Sequence, residues 1–322
     1  MRILIVKLSS MGDVIHTLPA ACSLKSSYPE AEVSWLVRPR WAALLEDNPY
    51  LDEVIPLQRS VPAAMQMASK LRLRRFDIVV DFQGLIQSAL VAAAVRPRKL
   101  FGFGRNTIRE KPAALLYSET TEATEGHVVE RNLKLAAAAG ATVILRDFPL
   151  PQGAPEPAGP HSTLPDGDFI LASPQAGWGA KQWPVEYWSQ LAQKLALPLV
   201  LNGPPSALEE LKAVKGTLTH LSGIPGLIHA TRRARAVIGL DSGPMHLAAA
   251  LGKPGIAIFG PTDPVRNGPY GGSLRVLRAP FATTDYSRGV QPADSMRAIS
   301  TQLAAEALDE ILARTGKVKQ HA

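Results

Sequence analysis

Residues suited to chemistry follow short apolar runs that predict buried strands. Residues 236–240 form one such run, and a polar turn follows it: Asp241, Ser242, Gly243, Pro244, Met245 and His246. Pro244 suits the first position of a helix, where a missing N–H costs nothing. Ligands bind beyond the carboxyl ends of parallel strands, and free N–H groups at 242–246 favour an anion such as a diphosphate. The alternative is a purely structural turn, which any α/β protein contains.

A second polar segment lies close to the start of the chain. Residues 2–6 predict a strand, and Gly12 and Asp13 precede a helix that the pattern places near Val14. Glycine and small residues between a strand and a helix let a ligand approach the backbone. The position of Asp13 alone favours a helix cap, and a general base is the alternative.

A third segment, 175–184, carries a lysine among glycines. Lys181 is a point charge that can meet a phosphate, but the segment lacks the glycine spacing and the Ser/Thr of a P-loop. Residues 166–168 spell Asp-Gly-Asp, formally a metal-binding motif of glycosyltransferases. They lie in a stretch rich in proline and glycine, so we interpret them as a turn and assign no metal.

Composition narrows the class of protein. The 322 residues are 46% apolar and 20% charged, as in a globular protein of two domains. The single cysteine, Cys22, excludes an internal disulfide and is expected to be a core thiol. The formal charge of +7 favours an acidic partner, but no nucleic-acid-binding motif is present. A short apolar start and the lack of a membrane-length run predict a cytoplasmic protein.

Strands and helices alternate in both halves, which predicts an α/β fold with parallel sheets. Composition shifts to proline and glycine around residues 148–168, as in a linker. We therefore expect domains at 1–150 and 168–322, joined by 151–167. A last amphipathic helix, 301–313, is a candidate to pack back on the first domain. Its predicted apolar face contains Leu303, Ala307, Leu308, Ile311 and Leu312.

Four phrases of the sequence resemble one known family. They are K-x-S-S-M-G-D-V-I-H-T-L-P-A at the start, F-D-I-V-V-D-F-Q-G-L-I-Q-S-A from Phe76, K-x-W-P at Lys181, and D-S-G-P-M-H-L-A-A-A-L-G-K-P with F-G-P-T-D-P from Asp241. The chain thus resembles the ADP-heptose:lipopolysaccharide heptosyltransferases of glycosyltransferase family 9. The resemblance implies a GT-B fold, in which two Rossmann-like domains with parallel sheets face each other across a cleft. The opening phrase is typical of type I members, whereas A-G-W-G before Lys181 leans toward type II.

The resemblance also implies roles for individual residues. Asp13 would be the general base, and Lys181 would bind the donor diphosphate. Asp241 would contact the sugar hydroxyls, and Gln83 would line the acceptor side. Glu209 is a weaker candidate on the nucleoside side. The remaining donor-binding candidates are Gly12, Ser242, Gly243, Pro244, Met245 and His246.

By that resemblance, the chain moves heptose from ADP-heptose to the Kdo of the lipopolysaccharide inner core, with inversion and without a cofactor or metal. The acceptor is an anionic lipid A–Kdo molecule, so a peripheral contact with the inner membrane is expected. Basic side chains of the first domain are candidates to receive it, although a charge run is often only a solvated face. These side chains are Arg59, Lys70, Arg72, Arg74, Arg75 and Arg105.

Other classes of protein stay open. A nucleotide-dependent oxidoreductase needs G-x-G-x-x-G after its first strand, which this chain lacks. The fragment Gly102-Phe103-Gly104 is interpreted as a turn. A non-enzymatic protein that binds nucleotide or lipopolysaccharide would use Asp13 only as a cap. Within the family, a type II enzyme or a protein heptosyltransferase is the nearest alternative.

Overall fold

The computed structural model describes residues 1–155 and 164–318, and it divides the chain into two compact units, Met1–Pro151 and Gln152–Ala322. Within the described residues, each unit contains one six-stranded sheet in which every neighbouring pair of strands is parallel. The predicted α/β class is therefore confirmed. Residues 156–163 of the predicted linker lie outside the described residues.

The sheet of the N-terminal unit contains the strands β1 (Arg2–Val6), β2 (Glu32–Val37), β3 (Glu53–Pro56), β4 (Ile78–Asp81), β5 (Lys99–Phe103) and β6 (Glu119–Thr121). Their order across the sheet is β3-β2-β1-β4-β5-β6. Its helices are α1 (Met11–Ile15), α2 (Leu18–Ser27), α3 (Val61–Leu73), α4 (Ile86–Ala94) and α5 (Val128–Ala138). Short 3-10 turns cover Pro39–Leu44 and Lys111–Leu116.

β1 lies at the point where the strand order reverses. It pairs with β2 on one side and β4 on the other, with Val6 opposite both Leu36 and Asp81. Because connections leave a reversal point in opposite directions, the loops after β1 and β4 border an open crevice. The apolar residues 3–6 of β1 are fully buried, as expected for the centre of a parallel sheet covered on both faces.

At the amino ends of the strands, the opposite edge of this sheet, ion pairs link neighbouring elements. Arg74 follows α3 and pairs with Glu32 and Glu53, which begin β2 and β3. Arg2 donates to the Glu32 carboxylate at 2.8 Å and to the carbonyl of Arg74 at 2.6 Å. The residues that end α3 are therefore held at the amino edge of the sheet.

The sheet of the C-terminal unit contains the strands β7 (Ile170–Ala172), β8 (Leu199–Gly203), β9 (Leu218–Leu221), β10 (Ala236–Leu240), β11 (Gly255–Phe259) and β12 (Leu274–Arg278). Their order across the sheet is β12-β11-β10-β7-β8-β9. Its helices are α6 (Val185–Ala192), α7 (Leu208–Lys212), α8 (Ile224–Arg233), α9 (Gly243–Ala250), α10 (Pro264–Asn267), α11 (Asp294–Arg297) and α12 (Thr301–Val318). Short 3-10 turns cover Gly179–Lys181 and Pro205–Ala207. Here the order reverses between β7 and β10.

Two indoles and aliphatic side chains build a core cluster of the C-terminal unit. Trp183 and Trp188 are buried, with their rings edge to face at 5.1 Å. The Trp183 Nε1–H donates to the carbonyl of Ile299 at 2.9 Å, which satisfies its polar end. Ala304 and Leu308 of α12 belong to the same cluster, so α12 packs within its own unit. A third indole, Trp178, lies at the carboxyl edge and is only partly buried.

Several local predictions were wrong. The first helix is two helices, because α1 ends at Ile15 and α2 begins at Leu18. Gly102 and Phe103 belong to β5 rather than to a turn, and the Tyr117 ring packs where a Cβ of Gly102 would lie. Leu303 was placed on the buried face of the last helix but is 40% exposed.

The prediction for Cys22 is confirmed. Cys22 is buried, and burial raises the pKa of its thiol to about 12, with the charge of Asp147 adding to the effect. It is therefore a core thiol rather than a nucleophile.

Among the described residues, no helix is long and apolar enough to span a membrane.

Candidate active site

Asp13 lies on α1, directly beyond the carboxyl end of β1. Its Oδ2 accepts hydrogen bonds from the Ser10 backbone N–H at 2.8 Å and from the Ser10 hydroxyl at 2.9 Å. The ammonium of Lys7 lies 3.7 Å from Oδ1. An ionised carboxylate in this position can accept a proton from a bound hydroxyl. The Asp13 side chain is also 38% exposed. It can therefore cap α1 and still be reached by a substrate.

Lys7, which directly follows β1, was not among the residues predicted for the site. It is only 5% exposed, and its Nζ donates to the carbonyl of Phe82 at 2.9 Å. The lysine therefore links the loop after β4 to the carboxylate of Asp13. An ammonium that is nine-tenths buried is rare without such partners.

Gln83 connects the same two loops through the backbone. Its Oε1 accepts from the N–H groups of Leu8 and Ser9 at 2.9 and 3.0 Å. The structure thus brings Gln83, Gly12 and Asp13 together at the reversal point of the first sheet. In this arrangement the amide oxygen of Gln83 orders the segment that carries Asp13.

A buried carboxylate positions Gln83. Asp81 ends β4 and accepts from the N–H of Gln83 at 2.8 Å, as well as from the hydroxyls of Ser88 and Tyr117, both at 2.8 Å. Burial raises the pKa of Asp81, and the four hydrogen bonds from Ser88, Tyr117, Gln83 and Gly84 act against that rise. Burial and the neighbouring Asp81 charge also raise the pKa of Tyr117, so its hydroxyl stays a donor.

The basic acceptor candidates divide between the two edges of the first sheet. Arg59 follows β3 and Arg105 follows β5, so both lie at the carboxyl edge with Asp13. The other four lie near the amino edge, before β4: Lys70 and Arg72 in the last turn of α3, and Arg74 and Arg75 directly after it. Arg74 is already engaged by two glutamates there. The structure does not bring these four side chains to the candidate site.

Arg38 is a cation at the carboxyl edge that the sequence analysis missed. It follows β2 and donates to the carbonyls of Leu57 and Gln58 at 3.0 and 2.6 Å. Burial and the nearby charge of Arg59 lower the pKa of Arg38. The carboxyl edge therefore carries a concentration of positive charge beside Asp13.

The C-terminal unit contains a nearly buried ion pair at its own reversal point. Lys181 follows β7 and Asp241 follows β10, and their Nζ and Oδ2 atoms lie 2.6 Å apart. The two residues are 9% and 7% exposed. The Lys181 ammonium also lies 3.8 Å from the ring centroid of Trp178, in a cation–π contact.

Asp241 lies between the end of β10 and the start of α9, and the packing of these two elements restricts the residues around it. Met245 packs 2.5 Å from the position that a Cβ of Gly239 would take, so β10 needs glycine there. Ser242 is the N-cap of α9, and Pro244 occupies the second helical position rather than the first. His246 is buried on the same helix.

Fewer backbone N–H groups of residues 242–246 are available to a ligand than the sequence predicts. The N–H groups of Met245 and His246 donate to the carbonyl of Ser242 at 3.2 and 3.4 Å, and Pro244 has no N–H. Within the described residues, the amides of Ser242 and Gly243 remain for a ligand. The hydroxyl oxygens of Ser242 and Thr262 are buried without a partner in the same described part of the chain. Unpartnered buried hydroxyls fit a site that a polar ligand completes.

Glu209 does not face this site. Its side chain is 88% exposed and lies 3.8 Å from Lys212 of the same helix. The next residue, Glu210, accepts from the Gln175 amide at 2.8 Å and so contacts the loop that carries Lys181. One position along a helix turns a side chain by about 100°, which separates the two glutamates.

The described residues contain no group of three or more His, Cys, Asp or Glu side chains that could hold a metal ion. Of the Asp-Gly-Asp sequence at 166–168, Asp168 lies 3.8 Å from the Arg235 guanidinium. Lys181 and the first amides of α9 are positive groups of the C-terminal site.

Solved structures with the same fold define the class of protein. The E. coli heptosyltransferase WaaC with ADP matches with a TM-score of 0.78 at 26% identity, over 96% of this chain and 99% of that chain. The E. coli ADP-heptose lipopolysaccharide heptosyltransferase II matches with a TM-score of 0.80 at 22% identity, over 98% and 100% of the two chains. The chain has the GT-B fold of these glycosyltransferases, as the sequence resemblance implies.

Sequence comparison then gives the family. The model of glycosyltransferase family 9 (heptosyltransferase) matches residues 64–292, and the chain belongs to this family. Lipopolysaccharide heptosyltransferase 1 of Pseudomonas aeruginosa is 31% identical over 309 residues, which cover 87% of this chain and 84% of that protein. The heptosyltransferase 1 of E. coli K12 is 31% identical over 313 residues, which cover 87% and 94% of the two chains.

The pH dependence of stability tests the state of Asp81. A carboxyl whose pKa is raised by folding contributes stability that is present below its unfolded pKa of about 3.9 and is lost as pH rises through the folded value. The melting temperature of the wild type minus that of Asp81→Asn should therefore fall as the pH rises above about 4, measured by calorimetry. Glu30→Gln, an exposed change in the same unit, is the control. A difference that stays constant or increases with pH would show that the four hydrogen bonds to Asp81 lower its pKa at least as much as burial raises it.

Proposed function

We propose that this family 9 glycosyltransferase moves heptose from ADP-heptose to a Kdo hydroxyl of the lipopolysaccharide inner core, with inversion at the anomeric carbon. The observation that carries the proposal is the nearly buried Lys181–Asp241 pair beside the first turn of α9. The names of the relatives and of the solved structures supply the sugar, the nucleotide and the lipopolysaccharide. The type I assignment is supported by sequence identity: 31% to the heptosyltransferases 1 of P. aeruginosa and E. coli K12, against 27% to heptosyltransferase 2 of Salmonella typhimurium.

The proposed reaction is a single displacement. Asp13 takes the proton of the acceptor hydroxyl as its oxygen attacks the anomeric carbon of the heptose. The bond from that carbon to the diphosphate breaks, and ADP leaves with the electron pair. Lys181 and the amides of Ser242 and Gly243 stabilise the charge that develops on the leaving group. Asp241, once released from Lys181, contacts the sugar hydroxyls.

A transfer assay tests this function with the purified full-length protein, ADP-heptose and lipid A acceptors that end either in Kdo or in a first heptose. We expect ADP release and the addition of one heptose to the Kdo acceptor. Transfer to the heptosylated acceptor alone would indicate a type II activity, and no ADP release with either acceptor would contradict the proposal. The same assay in EDTA tests the metal-independent part, which activity lost in EDTA and restored by Mg²⁺ would contradict.

The acceptor is lipid-linked and anionic, so we propose that the enzyme works at the surface of the inner membrane. Cations at the carboxyl edge of the first sheet, Arg38, Arg59 and Arg105, would meet the acceptor's carboxylates and phosphates there. Arginine suits this role because its planar fork pairs with carboxylate and phosphate in a bidentate way.

Replacing Asp13 with Asn should abolish most turnover while leaving donor binding intact. The amide can still accept from Ser10 but cannot take a proton, so we expect kcat to fall about 10²–10⁴-fold. ADP affinity by calorimetry and the melting temperature should stay close to those of the wild type. Glu30→Gln, which removes an exposed carboxylate at the amino edge, is the matched control. A kcat within a few-fold of the wild type would rule out Asp13 as the base.

Replacing Lys181 with Ala should weaken ADP binding and also destabilise the C-terminal unit. Removing one partner of a buried ion pair leaves the other charge unpaired, at a cost of about 3–5 kcal/mol. The double variant Lys181→Ala/Asp241→Asn removes that charge, so it should regain stability without regaining affinity for ADP. If the double variant bound ADP as tightly as the wild type, Lys181 would not be a diphosphate ligand.

The two groups of basic residues provide their own control for acceptor binding. The pair Arg59→Gln/Arg105→Gln should raise the acceptor KM and leave the KM for ADP-heptose unchanged. The pair Lys70→Gln/Arg72→Gln removes the same charge at the amino edge and should change neither. Raised salt should reproduce the selective effect, because exposed charges are screened. Equal effects of the two pairs would show that only net charge matters.

A further inference from the structure

A segment without regular helix or strand crosses the carboxyl edge of the second sheet. We name residues 279–293, between β12 and α11, the strap. The N–H of Asp285 donates to the carbonyl of Pro261 at 2.7 Å, just beyond β11. The N–H of Ala180, beyond β7, donates to the carbonyl of Gly289 at 2.9 Å. Because β10 lies between β11 and β7 in the sheet, the strap passes the end of β10, where Asp241 begins.

The strap packs directly on the loop that carries Lys181. A Cβ on Gly179 would lie 1.6 Å from the carbonyl oxygen of Val290, so this contact requires glycine. The N–H of Ala293 returns to the carbonyl of Ala180 at 3.3 Å, which adds a second bond to the same residue. The strap and the Lys181 loop are therefore joined by backbone contacts rather than by exposed side chains.

This packing places a second cation beside Lys181. The guanidinium carbon of Arg288 lies 5.8 Å from the centroid of the Trp178 ring, and the Lys181 ammonium lies 3.8 Å from the same ring. Arg288 is exposed and makes no ion pair with any described carboxylate. Lys181, in contrast, is neutralised by Asp241 at 2.6 Å.

The Lys181–Asp241 pair has little net charge to attract a diphosphate, so a second cation would strengthen binding there. A diphosphate that enters this site must also compete with Asp241 for Lys181. An arginine offers a planar fork that binds two phosphate oxygens at once. We propose that Arg288 of the strap binds the diphosphate of the donor nucleotide and stabilises it as it leaves. This inference rests on the proposed function, because it requires the donor to be a nucleoside diphosphate sugar.

Calorimetry with ADP, AMP and adenosine tests this role on the full-length protein. Arg288→Gln should raise the Kd for ADP by about tenfold, the effect of one charge-assisted hydrogen bond in a partly exposed site. The effect should be smaller for AMP and absent for adenosine, which has no phosphate. Arg288→Lys should recover part of the affinity. Lys215→Gln is the control, because it removes an exposed charge of the same unit between α7 and β9, at the amino edge.

The outcomes separate this inference from the proposed function. If the wild type binds ADP and Arg288→Gln binds it equally well, the role of Arg288 is wrong and the donor site stands. Equal losses in Arg288→Gln and Lys215→Gln would also overturn it, since net charge would explain both. If the wild type does not bind ADP at all, the donor assignment fails and this inference fails with it. A loss for ADP confined to Arg288→Gln supports the proposal.

Discussion

The parallel pairing of strands is the constraint on which the candidate site of each unit depends. In each unit, all carboxyl ends of the strands lie along one edge, so residues distant in the chain meet there. Leu8 receives the side chain of Gln83 from 75 positions away, and Lys181 reaches Asp241 across 60 positions. The reversal of strand order then opens the edge at these same loops. Chemistry is concentrated at the carboxyl edges, whereas the amino edge of the first sheet is closed by the ion pairs of Arg74.

Each unit uses a buried lysine beside a carboxylate, but the two pairs differ in strength. Lys181 and Asp241 are in direct contact at 2.6 Å, whereas Lys7 and Asp13 are separated by 3.7 Å. Desolvating a charge pair costs about as much as the pairing returns, so stability alone does not explain a buried lysine. We infer that Lys181 is held ready to exchange Asp241 for a phosphate. The Lys7 ammonium is held by the carbonyl of Phe82 and lies 3.7 Å from the Asp13 carboxylate.

Local pattern predicted much of the fold because buried parallel strands are short apolar runs, such as β1, β10 and β11. β6 was missed since Glu-Thr-Thr has no apolar residue, and only its pairing with β5 makes it a strand. The sequence resemblance pointed to Asp13, Lys181 and Asp241, and the structure puts each at a carboxyl edge. It could not separate Arg59 from Arg72, because the edge that a residue occupies depends on the topology. Lys7 and Glu210 needed side-chain contacts to be found.

The most direct test of this account is a crystal structure of the protein with ADP-heptose bound. The account predicts a phosphate oxygen within about 3 Å of the Lys181 ammonium, the distance of a charge-assisted hydrogen bond. It also predicts a second phosphate contact from the amides of Ser242 and Gly243, and an Asp241 carboxylate that has turned from Lys181 to a sugar hydroxyl. A nucleotide bound elsewhere, or a diphosphate in place with the Lys181–Asp241 pair unbroken, would contradict it.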